Sequence, residues 1–237
     1  MRFGAVPYLN SKPLLEGLAP LVLDTPARLV ERYRAEELDV ALLPVAAAEA
    51  EGLTRVGDLG IASEGRVESV LLFLRVPLEE VKSLSLDPAS RTSRVLVQAL
   101  LAERHGLRPR VLGAPAGEGK GPGEEAADAE LVIGDAALVR AQGSEPRLDL
   151  SEEWRRHTGL PFVFAAWYGD RAAAPALSKA YERGALRIDA YVAAAGLDLP
   201  AEALHRYLSS SIRYRIGERE EQGLARFLET GRRLGLL

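Results

Sequence analysis

The stretch Gly4-Ala-Val-Pro-Tyr-Leu-Asn-Ser-Lys-Pro-Leu-Leu15 indicates how this chain folds. Residues 2–9 are largely apolar and are followed by polar residues, a pattern that predicts a short strand. Asn10 and Ser11 are of the types that cap helices, and Pro13 is tolerated in a first helical turn. The strand therefore leads directly into a helix. In an open α/β sheet, such a junction lies at the carboxyl end of a strand, where these sheets bind ligands.

The same layout recurs along the chain and predicts two α/β units. Alternating strands and helices cover about 1–80 and 84–160, and a strong strand at 160–168 returns the chain to the first unit. We also expect Ser151 to cap a helix, and the chain from Ala173 onward to be helical. The expected division is one lobe from 1–82 with 168–237 and a second lobe from 83–167.

Composition limits the classes of function. The chain has 237 residues, of which 47% are hydrophobic and 27% charged, as is usual for a globular protein. It has no cysteine, which excludes disulfides and thiolate metal sites, and its three histidines fall in separate predicted helices. We therefore expect neither a metal site nor a cofactor. The net charge of −4 argues against nucleic acid as a partner.

The ends and the hydropathy of the chain suggest a location. No stretch approaches the roughly 18 consecutive apolar residues that a membrane span requires. The N-terminus lacks the basic and then apolar layout of a signal peptide. We expect a cytoplasmic protein that does not bind membranes. A homodimer is an open alternative.

Polar side chains follow the predicted strands at several places and form the candidate site. The first group is Tyr8, Asn10 and Ser11, whose alternative role is helix capping. The second lies between Ser63 and Ser69 around a glycine, and its alternative role is an ordinary turn.

Two further groups follow strands of the second unit. Ser90, Arg91, Thr92 and Ser93 place hydroxyls at a helix start, which suits a carboxylate, although a hydroxylated cap beside a solvated arginine would look the same. Asp135 follows another strand and is either a cap or a carboxylate that holds a substrate hydroxyl or acts as a base.

The Gly-rich segment at 115–122 does not have the spacing of a phosphate-binding P-loop. It also lacks the preceding strand and following helix that such a loop requires. We predict a surface loop there and no nucleotide site.

Polar and apolar segments at 6–14, 61–73, 86–93, 132–138, 149–154 and 158–165 follow one another in a specific order and spacing. In that order and spacing they resemble the chorismate dehydratases of futalosine-pathway menaquinone biosynthesis, the menaquinone biosynthetic enzyme A family. The opening Pro-Tyr-Leu-Asn-Ser-Lys-Pro-Leu differs from the Pro-Cys-Pro-Asn-Asp type of opening of the sister naphthoate synthase. Pro7 and Leu74 stand where serine is more usual in the family.

The resemblance implies a two-lobed fold of the periplasmic-binding-protein type II class, with the ligand in a hinged cleft and a C-terminal helical segment. It implies a lyase that removes water from chorismate to give 3-[(1-carboxyvinyl)oxy]benzoate, with the substrate's enolpyruvyl carboxylate as the base. Asn10 would hold and polarise the leaving hydroxyl. Ser90, Thr92 and Ser93 would bind a carboxylate near Arg91. The pocket would be completed by Tyr8, Ser11, Ser63, Ser69 and Asp135.

Two readings from other classes remain alternatives. A non-catalytic protein of the same fold would bind a small carboxylate, but a secreted receptor needs a signal peptide. A transcription-factor effector domain needs an attached DNA-binding helix pair, whereas this chain starts directly at the sheet.

Overall fold

The computed structural model describes residues 1–87, 90–112 and 126–237; the Gly-rich segment at 115–122 lies outside these ranges. The strands are β1 (Phe3–Ala5), β2 (Leu21–Leu23), β3 (Val40–Pro44), β4 (Arg55–Ser63), β5 (Val70–Leu74), β6 (Ser83–Ser85), β7 (Arg110–Leu112), β8 (Ala129–Ile133), β9 (Arg147–Asp149), β10 (Phe162–Gly169) and β11 (Arg213–Arg215).

The α-helices are α1 (Pro26–Arg34), α2 (Val45–Ala50), α3 (Arg91–Arg104), α4 (Gly134–Arg140), α5 (Leu150–Thr158), α6 (Ala174–Ala185), α7 (Ile188–Ala193), α8 (Ala201–Arg206) and α9 (Glu218–Arg233). Tighter 3₁₀ turns occur at Leu9–Leu14, Leu78–Glu80 and Arg171–Ala173, and a π-helical turn at Tyr207–Ser211.

The strands form two mixed sheets that share one plan. The first has the order β11-β4-β10-β3-β1-β2 and the second the order β7-β6-β8-β5-β9. In each sheet, three adjacent parallel strands (β2, β1, β3 and β7, β6, β8) are followed by one antiparallel strand (β10 or β5) and then by a fifth strand (β4 or β9) antiparallel to that one. The two units that the sequence predicts are therefore copies of one topology, extended in the first sheet by β11.

The chain crosses between the sheets twice. It leaves the first sheet after β4 and enters the second at β5, and it returns after α5 into β10. The expected division at 82 assigns β5 to the first lobe, whereas β5 pairs with β8 and β9 of the second sheet. Likewise, β10 begins at Phe162 within the first sheet, before the expected boundary at 168. Strand pairing thus moves both crossings toward the N-terminus, to 64–69 and 159–161.

Several local predictions differ from the structure. β1 ends at Ala5, and Asn10 and Ser11 lie inside a 3₁₀ turn rather than at its cap. The cap of α5 is Asp149, whose carboxylate accepts from the backbone N–H groups of Ser151 and Glu152. The C-terminal segment is not all helical, because β11 adds an edge strand beside β4.

The core contains a fully buried strand and a cluster of aromatic rings. Every residue of β3 is buried, as expected for a strand covered on both faces. The second crossing is packed by rings: Trp154 of α5 meets Phe162 of β10 edge-on at 5.5 Å, and Phe227 of α9 meets Phe162 at 4.9 Å. These contacts join α5 and the C-terminal helix α9 to the return strand.

Candidate active site

A cavity lies between the two sheets. It is lined at the carboxyl ends of parallel strands from both sheets, by the segments after β1 and β6 and the ends of β3 and β8, and also by the first crossing and by β10. This is where open α/β sheets bind ligands, because the helix N-termini converge there. Among the described residues, the polar side chains that line it are Tyr8, Asn10, Ser69, Ser90 and Ser93.

Asn10 is held by a residue far away in the sequence. Its Nδ2 donates to the hydroxyl of Tyr207 at 2.9 Å, and that hydroxyl donates to Ser69 Oγ at 2.8 Å. Asn10 is 8% exposed, and its Oδ1 is buried without a hydrogen-bond partner among the described residues. A buried carbonyl oxygen without a partner is costly, so this oxygen is suited to accept from a bound hydroxyl.

Ser69 is positioned by the first crossing. The backbone N–H groups of Val67 and Glu68 both donate to the Asp149 carboxylate, at 3.2 and 2.8 Å, which fixes the turn just before Ser69. Glu68 has a φ of +63°, a conformation that a residue other than glycine rarely adopts. The turn is therefore held by specific bonds rather than by local preference.

Ser90 and Ser93 lie at the N-terminus of α3. Ser90 Oγ accepts from the backbone N–H of Ser93 at 3.2 Å and donates to Ser93 Oγ at 3.0 Å. The proton of Ser93 Oγ has no acceptor among the described residues. This proton and the positive end of a fourteen-residue helix suit an anionic oxygen in the cavity.

The neighbours of these serines face elsewhere. Thr92 is fully buried, and its hydroxyl accepts from the backbone N–H of Ala46 at 3.1 Å, in the first turn of α2. Arg91 is exposed and lines a separate outer groove that shares Pro26 and Pro44 with the cavity wall. This arrangement argues against direct contact of Thr92 or Arg91 with a ligand in the cavity. Such contact therefore stays a prediction.

Ser11 and Ser63 bond to the backbone rather than line the cavity. Ser11 Oγ reaches the carbonyls of Val6 at 2.7 Å and Tyr8 at 2.8 Å. Ser63 Oγ donates to the carbonyls of Gly65 and Arg66 at 3.5 and 3.3 Å. Both are buried and stabilise the segments that carry Asn10 and Ser69.

Tyr8 and Asp135 join the two sides of the cleft. The Tyr8 ring lies against Gly134, where a Cβ would come within 3.1 Å of ring carbons, and Gly134 has a φ of +66°. The Asp135 carboxylate accepts from the backbone N–H of Leu9 at 3.1 Å. Burial raises the pKa of Asp135 despite this bond. Burial, with the charges of Asp87 and Asp135, raises the pKa of Tyr8 to about 12, so Tyr8 stays neutral.

Sequence reasoning missed Tyr207, Phe164 and Asp149. Phe164 lines the cavity from β10, and the other two support it from behind. Tyr207 lies in a helical segment with no motif signal, so only the fold brings it to Asn10. Asp149 begins the segment 149–154, and an aspartate two residues before Ser151 is a usable helix-cap signal.

Acidic, basic and histidine side chains are absent from the cavity wall among the described residues. In the same part of the chain, no group of three or more histidine, aspartate or glutamate side chains could hold a metal ion. None of the described helices is long and apolar enough to cross a membrane. The wall can therefore position and hydrogen-bond a ligand, but it presents no side chain that gains or loses a proton near neutral pH.

Comparison with known proteins identifies the family. A protein named chorismate dehydratase from Campylobacter jejuni is 26% identical over 254 aligned residues, covering all of both chains. Another of that name from Thermus thermophilus is 32% identical over 207 residues, covering 76% of this chain and 73% of the relative.

Solved structures show the fold. A protein from Archaeoglobus fulgidus has a TM-score of 0.75 at 13% identity, covering 100% of this chain and 98% of the other. A Candida albicans gene product, described as having the generic periplasmic binding protein fold, has a TM-score of 0.60 at 12% identity and covers 100% and 94%. These confirm the expected two-lobed α/β fold. A family model described as menaquinone biosynthesis matches residues 1–233, and this chain belongs to that family.

Proposed function

We propose that this protein is a chorismate dehydratase, a hydro-lyase that converts chorismate to 3-[(1-carboxyvinyl)oxy]benzoate. The two named relatives support the substrate and the reaction. The observation that carries the proposal is the buried Asn10 Oδ1, which has no partner among the described residues and lies in a cavity wall without charged side chains.

The reaction makes modest demands on the protein. The enolpyruvyl carboxylate takes the C3 proton, and the electron pair of the broken C3–H bond completes the aromatic ring as the C4–O bond breaks. The released hydroxide takes up that proton and leaves as water. Aromatisation makes the elimination strongly downhill. Positioning and polar stabilisation can therefore supply most of the catalysis.

Each polar residue of the wall has a role in this proposal. Asn10 holds the C4 hydroxyl by accepting a hydrogen bond from it at Oδ1, which orients the C–O bond for departure. Ser93 donates to one carboxylate at the N-terminus of α3, with Ser90 holding Ser93 in place. Ser69 donates its free hydroxyl proton to the ligand.

The base in this proposal is the enolpyruvyl carboxylate of the substrate. The described residues of the wall include no carboxylate, histidine or lysine that could take the C3 proton. Asp135 is engaged with the backbone of Leu9 and is not part of that wall. The substrate carboxylate is covalently attached at C3, so its reach to the C3 proton is intramolecular.

The decisive experiment adds chorismate to the purified protein without added metal or cofactor, with products followed by liquid chromatography and mass detection. We expect a product that is 18 mass units lighter and has an aromatic ultraviolet spectrum. Unchanged chorismate that raises the melting temperature would favour a non-catalytic binding protein. If chorismate is neither converted nor raises the melting temperature, chorismate is rejected as the ligand.

A further inference from the structure

We propose that Tyr207 is the positioning residue that orients Asn10 and Ser69 toward the cavity. The inference rests on the proposed function, because the dehydration is the reaction in which Asn10 and Ser69 act. Tyr207 is 1% exposed and is not among the described residues that line the cavity. Its hydroxyl lies behind the wall and bonds to one wall residue on each side.

The Tyr207 hydroxyl acts once as a donor and once as an acceptor in these two hydrogen bonds. A tyrosine hydroxyl carries one proton, which Tyr207 donates to Ser69 Oγ at 2.8 Å. Toward Asn10 the hydroxyl can then only accept, and it does so from Nδ2 at 2.9 Å. The amide is thereby held with its nitrogen toward Tyr207 and its Oδ1 away from it.

The same bonds set what the cavity offers a ligand. Asn10 presents an acceptor, Oδ1, which has no other partner in the described part of the chain. Ser69 already accepts from Tyr207, so its own proton is free to be donated. One hydroxyl behind the wall thus makes one neighbour an acceptor and the other a donor.

The local fold supports a specific role for this hydroxyl. Tyr207 begins the π-helical turn at Tyr207–Ser211, an uncommon geometry that is frequent at functional sites. Burial is the main cause that raises the pKa of Tyr207 well above its usual value, so the proton needed for Ser69 is retained. Phenylalanine would fill the same space but could neither accept from Asn10 nor donate to Ser69.

The test compares Tyr207→Phe with the matched variant Tyr214→Phe. Tyr214 is also buried, but its hydroxyl has no hydrogen-bond partner among the described residues, so its removal breaks no bond. We expect Tyr207→Phe to lower kcat by about 10- to 100-fold with KM changed less than about threefold, because the lost bonds orient Asn10 and Ser69 for the reacting state. Tyr214→Phe should keep kcat within about twofold of the unmodified protein.

A second readout does not need the reaction. The side-chain amide signal of Asn10 in a ¹⁵N–¹H NMR spectrum, assigned by its loss in Asn10→Ala, should shift in Tyr207→Phe and stay in place in Tyr214→Phe. If Tyr207→Phe does not fold, Ser69→Ala replaces it, because removing the acceptor of the Tyr207 proton must also shift the Asn10 signal.

The outcomes separate the two proposals. An unchanged Asn10 signal in Tyr207→Phe, or a kcat within about twofold of the unmodified protein, overturns the positioning role. Equal losses in both tyrosine variants also overturn it. An unmodified protein that does not convert chorismate defeats the proposed function, and the NMR signal then still decides whether Tyr207 orients Asn10.

Discussion

The segments that follow β1 and β6 occupy equivalent places in the two sheets, yet they serve the cavity differently. After β1, a 3₁₀ turn presents one amide, Asn10, whose Oδ1 has no partner in the described structure. After β6, the α-helix α3 presents two serines, Ser90 and Ser93, that bond to each other. The first arrangement suits the orientation of a hydroxyl, and the second suits the binding of an anionic group.

Both segments also contain a hydroxyl residue that faces away from the cavity. Ser11 bonds to the carbonyls of Val6 and Tyr8. Thr92 accepts from the backbone N–H of Ala46 in α2, the helix that follows β3 of the first sheet. Adjacent residues of similar chemistry therefore divide into those that meet a ligand and those that hold the backbone. The difference comes from helical geometry, because neighbouring side chains point about 100° apart in an α-helix and about 120° apart in a 3₁₀ turn.

Replacing Asn10 is the strongest way to test this division. Asn10→Ala should lower kcat about 100-fold or more, because it removes the amide that orients the leaving hydroxyl. Steady-state kinetics with chorismate measures the effect. Turnover close to that of the unmodified protein would show that Asn10 is not the reacting-site residue.

Ser93 and Thr92 form a matched pair within α3. Ser93→Ala should raise KM by about 10- to 100-fold, since a hydrogen bond to a charged group contributes roughly 1.5–3 kcal/mol. Thr92→Val should leave KM within about twofold but lower the free energy of unfolding by about 1–2 kcal/mol, because the Ala46 N–H loses its partner. Kinetics and urea unfolding together measure both. The reverse pattern would assign Thr92, and not Ser93, to the ligand.

Ser11 gives the corresponding test in the first segment. Ser11→Ala should lower the free energy of unfolding by about 1 kcal/mol, since a buried hydroxyl that bonds to two carbonyls is lost. We expect kcat to fall much less than in Asn10→Ala. A loss of kcat equal to that of Asn10→Ala, without loss of stability, would place Ser11 in contact with substrate.

The smallest expected effect concerns pH. Neither segment presents a group that titrates near neutrality, and the pKa of Tyr8 is about 12, so Tyr8 keeps its proton throughout the useful range. A substrate carboxylate acting as base has a pKa of about 4 and is ionised above it, so kcat should be nearly flat from about pH 6 to 9. A kcat profile that rises or falls tenfold within this range would require a base or acid from the protein.

Prediction from the sequence succeeded where the signal was local. The start of helix α3, the return strand β10 and the doubled layout were all recognisable from short-range patterns. It failed where pairing partners are distant. β11 has three residues and became a strand only by pairing with β4, about 150 positions earlier. The first boundary, at 82, was placed too late because β5 has the pattern of a strand whichever sheet it joins.

The candidate site divides in the same way. The segments that form the cavity could be found in the sequence, and so could Asn10, Ser69, Ser90 and Ser93. Which hydroxyl of a cluster faces the cavity could not be found, because Ser11, Ser63 and Thr92 turn toward backbone groups that only the fold brings near.

The sequence by itself determined that this protein has two similar α/β units with polar residues where their strands end, because periodicity and capping act over a few residues. Only the tertiary structure decided how those residues are oriented. Asn10 and Tyr207 lie 197 positions apart, and their hydrogen bond exists because the C-terminal segment packs against the first sheet. No local pattern encodes a bond of that range, since its geometry depends on the packing of the whole chain.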